Sequence, residues 1–174
     1  SVFSIFKSRS IWLVTNLFAT IVAASVVGEF QDIIAQLSIL AVLMPIVASM
    51  GGTTGQQTLA VVVRSLATKE LNSRNALRMI GKEFMVGLCN GLLFAVMIGI
   101  AVRIWFPGQE MISYIIALAM LCNLTVASLA GILIPLTINR LKIDPAIASG
   151  VFLIACTDSG GYFIFLGLAK LLLF

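Results

Sequence analysis

The chain has 174 residues, of which 60% are hydrophobic and only 10% are charged, with no histidine and a formal net charge of +4. Soluble domains carry about 25% charged residues, so a mean hydropathy of +1.12 excludes a soluble globular domain and indicates a polytopic membrane protein. We expect a lipid bilayer as its surroundings and no nucleic-acid partner. No nucleophile–base pair stands out, so we predict no enzyme and no bound cofactor.

Five apolar segments are long enough to cross a bilayer, which predicts an all-α fold with five transmembrane helices. The first segment also resembles a secretory signal peptide, but the four segments that follow favour a retained helix. The predicted helices lie at about residues 11–28, 33–66, 83–106, 111–139 and 146–173. Together they make one transmembrane domain of residues 1–174.

The second apolar segment is too long for a simple span. It extends over roughly 31 residues, or about 46 Å of helix, against a hydrocarbon core of about 30 Å. Residues 45–58, PIVASMGGTTGQQT, place a proline and three glycines inside it. Two interpretations are open: a broken helix that lines a wet cavity, or a kinked helix whose small residues let neighbours approach.

The next two spans carry signs of helix packing. Small residues four apart on the third span make a face that suits close helix contact: Gly87, Gly91, Ala95 and Gly99. Polar residues of the fourth span are expected to form hydrogen bonds between helices: Asn123, Thr125 and Ser128. Asp144 before Pro145 is typical of a helix N-cap followed by the first helical residue, and predicts where the fifth span begins.

Basic residues predict the orientation of the five spans. Nine lie in the N-terminal segment, the 64–83 loop and the 140–142 connection, whereas only Arg103 and Lys170 fall on the opposite side. Because positive charge is retained in the cytoplasm, we expect the N-terminus inside and the C-terminus outside the cell membrane.

One carboxylate, Asp158, lies deep inside a span, where a charge costs roughly 2.5–3.5 kcal/mol. Two interpretations are open. The partner of Asp158 is a mobile cation, or the carboxyl group is protonated and this neutral Asp forms hydrogen bonds with Asn or Thr. A two-fold dimer would bring two copies of Asp158 together, enough to neutralise one divalent ion. Gly150 and Ile154 share the helix face of Asp158. The candidate ligand atoms are all oxygens, of carboxylate, hydroxyl, amide and carbonyl groups, and such a site suits Mg²⁺, Ca²⁺ or Mn²⁺.

Residues 45–58 followed by VRSLA at 63–67 resemble the signature of the MgtE family of magnesium channels. So do DPA at 144–146, TD at 157–158 and FIFLGLA at 163–169. The resemblance implies a homodimer whose pore lies on the two-fold axis and is lined by the second and fifth helices. It implies that Asp158 is the main site for hydrated Mg²⁺ and that carbonyls of Gly52, Gly55 and Ile154 help to form the ion path.

This sequence departs from the family pattern around those ligands. Thr53 and Gln56 stand where the family more often has Asn, and Gly150 stands where some members offer an Asn side chain. We therefore list Thr53 and Gly150 as candidate metal ligands beside the four residues above. The substitutions bear on the choice among divalent ions.

The leading hypothesis is a Mg²⁺-selective channel or transporter in the plasma membrane. An alternative is a Na⁺- or H⁺-coupled divalent-cation transporter in which Asp158 is the coupling site. A third interpretation is a membrane anchor for a soluble part. Cytoplasmic regulatory domains that are typical of the family are absent from these 174 residues.

Overall fold

The structure is a computed structural model that describes residues 1–72 and 74–174, within which there are six α-helices and no β-strand. The helices are α1 (Val2–Gly28), α2 (Gln31–Gln36), α3 (Ile39–Ala67), α4 (Ala76–Trp105), α5 (Glu110–Arg140) and α6 (Pro145–Leu173). All except the short α2 are long and apolar enough to cross a membrane. The predicted all-α class with five transmembrane helices is thus confirmed, and the five spans correspond to α1, α3, α4, α5 and α6.

Helix α5 is the centre of the bundle and the most buried of the five spans. It packs against α3, α4 and α6, and α3 and α6 also pack against each other. The buried positions of α3 recur every three or four residues, so a single stripe of this helix faces the bundle. Most of the main core comes from three helices, with smaller contributions from Ile33 of α2 and Val102 of α4: Leu40, Leu43 and Val47 of α3, Ile112, Ile115 and Ile116 of α5, and Phe165 and Leu166 of α6.

Helix α1 packs on α6 and leaves most of its apolar surface exposed. It begins at Val2, with Ser1 as its N-cap, rather than at the predicted residue 11. Lys7 and Arg9 were expected to precede the helix, but they lie within its first turns. Both are good helix formers and no Gly or Pro separates them from the apolar run, so the helix extends beyond its hydrophobic part.

The second span begins with a break that the sequence did not predict. Residues 31–36 form α2, and α3 starts only at Ile39, so the single predicted helix over 33–66 is two helices. Beyond this point α3 is continuous through Pro45 to Ala67. The broken-helix interpretation of residues 45–58 is therefore wrong. A proline removes one backbone donor from the helix ladder, and a long packed helix tolerates that loss.

Candidate ion-binding site

Asp158 lies near the middle of α6 and its side chain is half-buried. The other six acidic residues lie at helix caps, in connections, on α2, or within the first eight residues of a helix. Gly150 and Ile154, also half-buried, stand two turns and one turn before Asp158 on the same side of α6. An added Cβ at Gly150 would meet nothing within 4 Å, so the backbone is open to approach at this position.

Helix α3 presents a polar face that the bundle does not cover. The exposed side chains of this face are Ser49, Thr53, Gln56 and Gln57. The Thr53 hydroxyl donates a hydrogen bond of 2.9 Å to the Ser49 carbonyl oxygen, which leaves the lone pairs of its oxygen free to accept. Amide and hydroxyl groups at membrane depth need water or protein beside them, so this face does not suit contact with lipid tails.

Helices α3 and α6 lie side by side at Gly52. A Cβ at this glycine would lie 3.8 Å from the hydroxyl oxygen of Thr157, the residue before Asp158. Thr157 is 1% exposed, and its hydroxyl donates to the Ile154 carbonyl oxygen at 3.2 Å. The polar atoms around Gly52 and Ile154 therefore lie next to the helix turn that carries Asp158.

Gly55 lies on a different side of α3, in the interior of the bundle. A Cβ at Gly55 would come within 2.9 Å of the Leu153 side chain and 3.3 Å of the Ala127 carbonyl oxygen. The Gly55 carbonyl oxygen itself lies against Gly131 of α5. Within one chain, Gly55 is thus surrounded by α5 and α6, whereas Thr53 is on the exposed face of the same helix.

The sequence profile of the MgtE family, described as a divalent cation transporter, matches residues 44–168. The chain belongs to the MgtE family.

Three curated relatives carry the name "Magnesium transporter MgtE". The protein from Bacillus subtilis is 35% identical over 158 residues, covering 91% of this chain and 35% of the relative. The one from Enterococcus faecalis is 36% identical over 165 residues, covering 95% of this chain and 36% of the relative. The one from Thermus thermophilus is 29% identical over 171 residues, covering 98% of this chain and 37% of the relative.

This MgtE-family chain spans about a third of the length of those relatives. The matched third includes the five apolar helices, which agrees with the prediction of a multi-pass membrane protein. The names of these relatives describe transporters, in agreement with the prediction that the chain is not an enzyme.

The candidate ligands of this chain fall into four places. Gly150, Ile154 and Asp158 share one side of α6, Gly52 faces the adjacent Thr157, and Thr53 and Gly55 lie on the exposed and interior sides of α3. No group of three or more His, Cys, Asp or Glu residues in the described ranges could hold a metal ion. The role of these residues as ion ligands stays a prediction.

The contact between Thr58 and Glu83 is a polar contact between helices that sequence reasoning missed. The Thr58 hydroxyl on α3 donates a hydrogen bond to the Glu83 carboxylate on α4, although the sequence placed Glu83 only at the boundary between the polar 64–83 loop and the third span. The signal was present in the helical register, because residues 54, 58 and 62 are four apart and all lie on the buried side of α3. A threonine on such a stripe needs a partner.

Proposed function

We propose that the chain is the membrane domain of a Mg²⁺-selective channel or transporter of the plasma membrane. The observation that carries this proposal is the position of Asp158, half-buried near the middle of a membrane-spanning helix. A carboxylate at such a depth is costly unless it has a partner, and a transported cation is such a partner. The names of the three relatives support Mg²⁺ as that cation.

The transporting unit in this proposal is a homodimer. Asp158 and the polar face of α3, residues 49–57, offer one carboxylate and several neutral oxygens per chain. A two-fold axis along the membrane normal doubles the carboxylates and encloses the polar faces between two subunits. The pore is then lined by α3 and α6, the second and fifth predicted spans.

The ion moves through this pore with much of its water retained. Mg²⁺ dehydrates reluctantly and is usually bound by one or two carboxylates together with water. Asp158 is the main ion-binding residue in this proposal. The groups that contact the hydration shell are the candidates Gly52, Thr53, Gly150 and Ile154. The fifth candidate, Gly55, is not among them, because its carbonyl oxygen lies against Gly131 in the interior of the chain. Another divalent ion competes with Mg²⁺ at such a site if its size fits the arrangement of these oxygens.

The orientation that we propose is the one that the basic residues favour. The basic residues between positions 64 and 83, at the end of α3, in the connection and at the start of α4, face the cytoplasm, as does the 140–144 connection. The N-terminus is cytoplasmic and the C-terminus is extracytoplasmic.

Flux of Mg²⁺ into liposomes that contain the purified chain tests the proposal. Asp158→Asn removes the charge with little change in size, and we expect it to abolish most of the flux. Asp32→Asn is the matched control, because Asp32 is an exposed carboxylate on the short α2. Flux through Asp158→Asn at the wild-type level would contradict the role of Asp158. Flux that requires an opposing Na⁺ or H⁺ gradient would instead favour the coupled transporter.

Thermal unfolding in detergent is a second, independent measurement. A single site occupied at a hundred times its Kd stabilises the native state by about 2.7 kcal/mol. We expect Mg²⁺ to raise the Tm of the wild type and of Asp32→Asn but not that of Asp158→Asn. Equal stabilisation of all three proteins would place the bound ion elsewhere.

A further inference from the structure

Asn123 is a buried amide at the centre of the bundle. It lies on α5, is 1% exposed, and donates a hydrogen bond of 2.7 Å from Nδ2 to the Val47 carbonyl oxygen of α3. Its other polar atom, Oδ1, is buried and has no hydrogen-bond partner among the described residues. In an apolar interior the hydrogen bond from Nδ2 is strong, whereas the unpaired Oδ1 lowers the stability of the bundle. An amide at this position therefore calls for an explanation beyond the filling of space.

Two glycines on neighbouring helices make room for this amide. A Cβ at Gly51 of α3 would overlap the Nδ2 atom and lie 3.0 Å from Cγ of Asn123. A Cβ at Gly161 of α6 would lie 3.3 Å from Nδ2, 3.4 Å from Oδ1, and 3.4 Å from Cα of Ala48. The Asn123 side chain therefore fills the junction at which α3, α5 and α6 meet.

This junction lies beside the candidate ion site. Gly51 directly precedes Gly52, and Gly161 follows Asp158 by three residues, about one helical turn. The Asn123 side chain of α5 lies against α3 at Gly51 and against α6 at Gly161, so its size limits how closely these helices can pack at the junction. Helices α3 and α6 are the two that carry the candidate ligands.

We propose that Asn123 is a positioning residue that sets the spacing of α3 and α6 at the ion site, an inference that rests on the proposed function. The amide has a single suitable orientation, since the opposite one would turn Oδ1 towards the Val47 carbonyl oxygen. A carboxylate at this position would repel that carbonyl. Glutamine is one methylene too long for the space between the two glycines.

The test measures Mg²⁺ flux against Mg²⁺ concentration in liposomes, for four proteins and a control. The proteins are the wild type, Asn123→Ala, Gly51→Ala and the double variant Gly51→Ala/Asn123→Ala. Asn139→Ala is the control, because Asn139 is an exposed asparagine near the end of the same helix. Thermal unfolding of each purified protein in detergent is recorded alongside.

We expect Asn123→Ala and Gly51→Ala each to raise the half-saturating Mg²⁺ concentration by about tenfold, with Asn139→Ala unchanged. The double variant should recover part of the loss seen in Gly51→Ala, because the alanine at 123 leaves space for the new Cβ. A folded Asn123→Ala protein with a wild-type concentration dependence would overturn the proposal. The proposal would also be overturned if the double variant had the same half-saturating Mg²⁺ concentration and the same Tm as Gly51→Ala.

If Asn123→Ala does not fold, Gly161→Ala replaces it, because its contacts of 3.3 and 3.4 Å require shifts of only a few tenths of an ångström. An altered half-saturating concentration in Gly161→Ala supports the proposal, and an unchanged one overturns it. Failure of the proposed function has a different signature, since wild-type liposomes would then carry no Mg²⁺ flux. In that case the recovery of thermal stability in the double variant still reports on the spacing.

Discussion

The hydroxyl of Thr58 on α3 donates a hydrogen bond of 2.9 Å to Oε2 of Glu83 on α4. Thr58 is 6% exposed, and its Cβ also lies against Gly131 of α5. Helices α3 and α4 pack mainly on α5 rather than on each other. The bond is therefore a polar connection between two helices whose backbones come close to each other at few points.

Thr58→Val should destabilise the bundle, because it keeps the shape of the side chain but leaves Glu83 without this donor. Hydrogen bonds to charged groups contribute about 1.5–3 kcal/mol, and we expect a loss of that size in unfolding by SDS titration. Glu83→Gln retains an acceptor oxygen for the Thr58 hydroxyl, so it should lose less stability than Thr58→Val. Equal losses for Glu83→Gln and Glu83→Ala would show that the bond contributes little.

Alanine at Gly91 should disrupt the contact between α4 and α5. A Cβ there would lie 2.8 Å from the Leu121 carbonyl oxygen, a backbone atom that cannot rotate away. Overpacking of this kind costs about 1–3 kcal/mol, which unfolding by SDS titration would detect. Gly81→Ala is the matched control on the same helix, since its Cβ would meet nothing within 4 Å. A similar loss of stability for both variants would show that replacing a glycine in α4 has a general effect, unrelated to the contact with α5.

Asp144 should stabilise the start of α6. Its Oδ1 accepts a hydrogen bond of 2.9 Å from the Ala146 backbone nitrogen, with Pro145 as the first helical residue. Replacing an N-cap carboxylate by alanine typically costs about 1 kcal/mol. We expect Asp144→Ala to lower the stability in SDS titration by about that amount and Asp144→Ser to keep most of it. A stability of Asp144→Ser no higher than that of Asp144→Ala would rule out the cap as the cause.

Cysteine labelling tests the orientation in the membrane. In a background with Cys89, Cys122 and Cys156 replaced by serine, single cysteines are placed at exposed Thr68 and exposed Gln109. Thr68 follows α3 and Gln109 precedes α5, at opposite ends of α4. A maleimide that cannot cross membranes should label Gln109→Cys in intact cells and Thr68→Cys only after permeabilisation. The reverse pattern would invert the proposed topology.

Much of the fold could be predicted because membrane insertion depends on properties of single segments. Length and hydropathy predicted the five spans, and the small-residue face of α4 was predicted from its period of four. The structure buries Gly87, Gly91 and Ala95 of that face against α5. The N-cap of α6 also followed from local chemistry, since Asp144 and Pro145 act within one turn.

The remaining features depend on which residues meet across helices. The break at Leu37 lies between Gln36 and Ser38. Ser38, the N-cap residue of α3, is only a weak local signal for it, because its side chain makes no capping hydrogen bond. Of the three neighbouring glycines in the 45–58 segment, Gly51 faces an amide, Gly52 faces a hydroxyl and Gly55 faces a leucine. The sequence motif does not show which atoms each glycine meets, because this depends on how α5 and α6 pack against α3. Of the three polar residues expected to bond between helices, Asn123 does so, whereas Thr125 bonds to its own helix. The third, Ser128, has a buried hydroxyl with no hydrogen-bond partner among the described residues.

The central position of α5 has a consequence for the order in which the bundle assembles. Helices α1, α3 and α4 precede α5 in the chain, yet α3 and α4 have their main partners in α5 and α6, and α1 has its main partner in α6. Transmembrane helices insert first and associate afterwards. During synthesis, the first three spans therefore remain in lipid without their main partners until α5 enters the membrane. The docking of α1 must wait for the last helix of the chain.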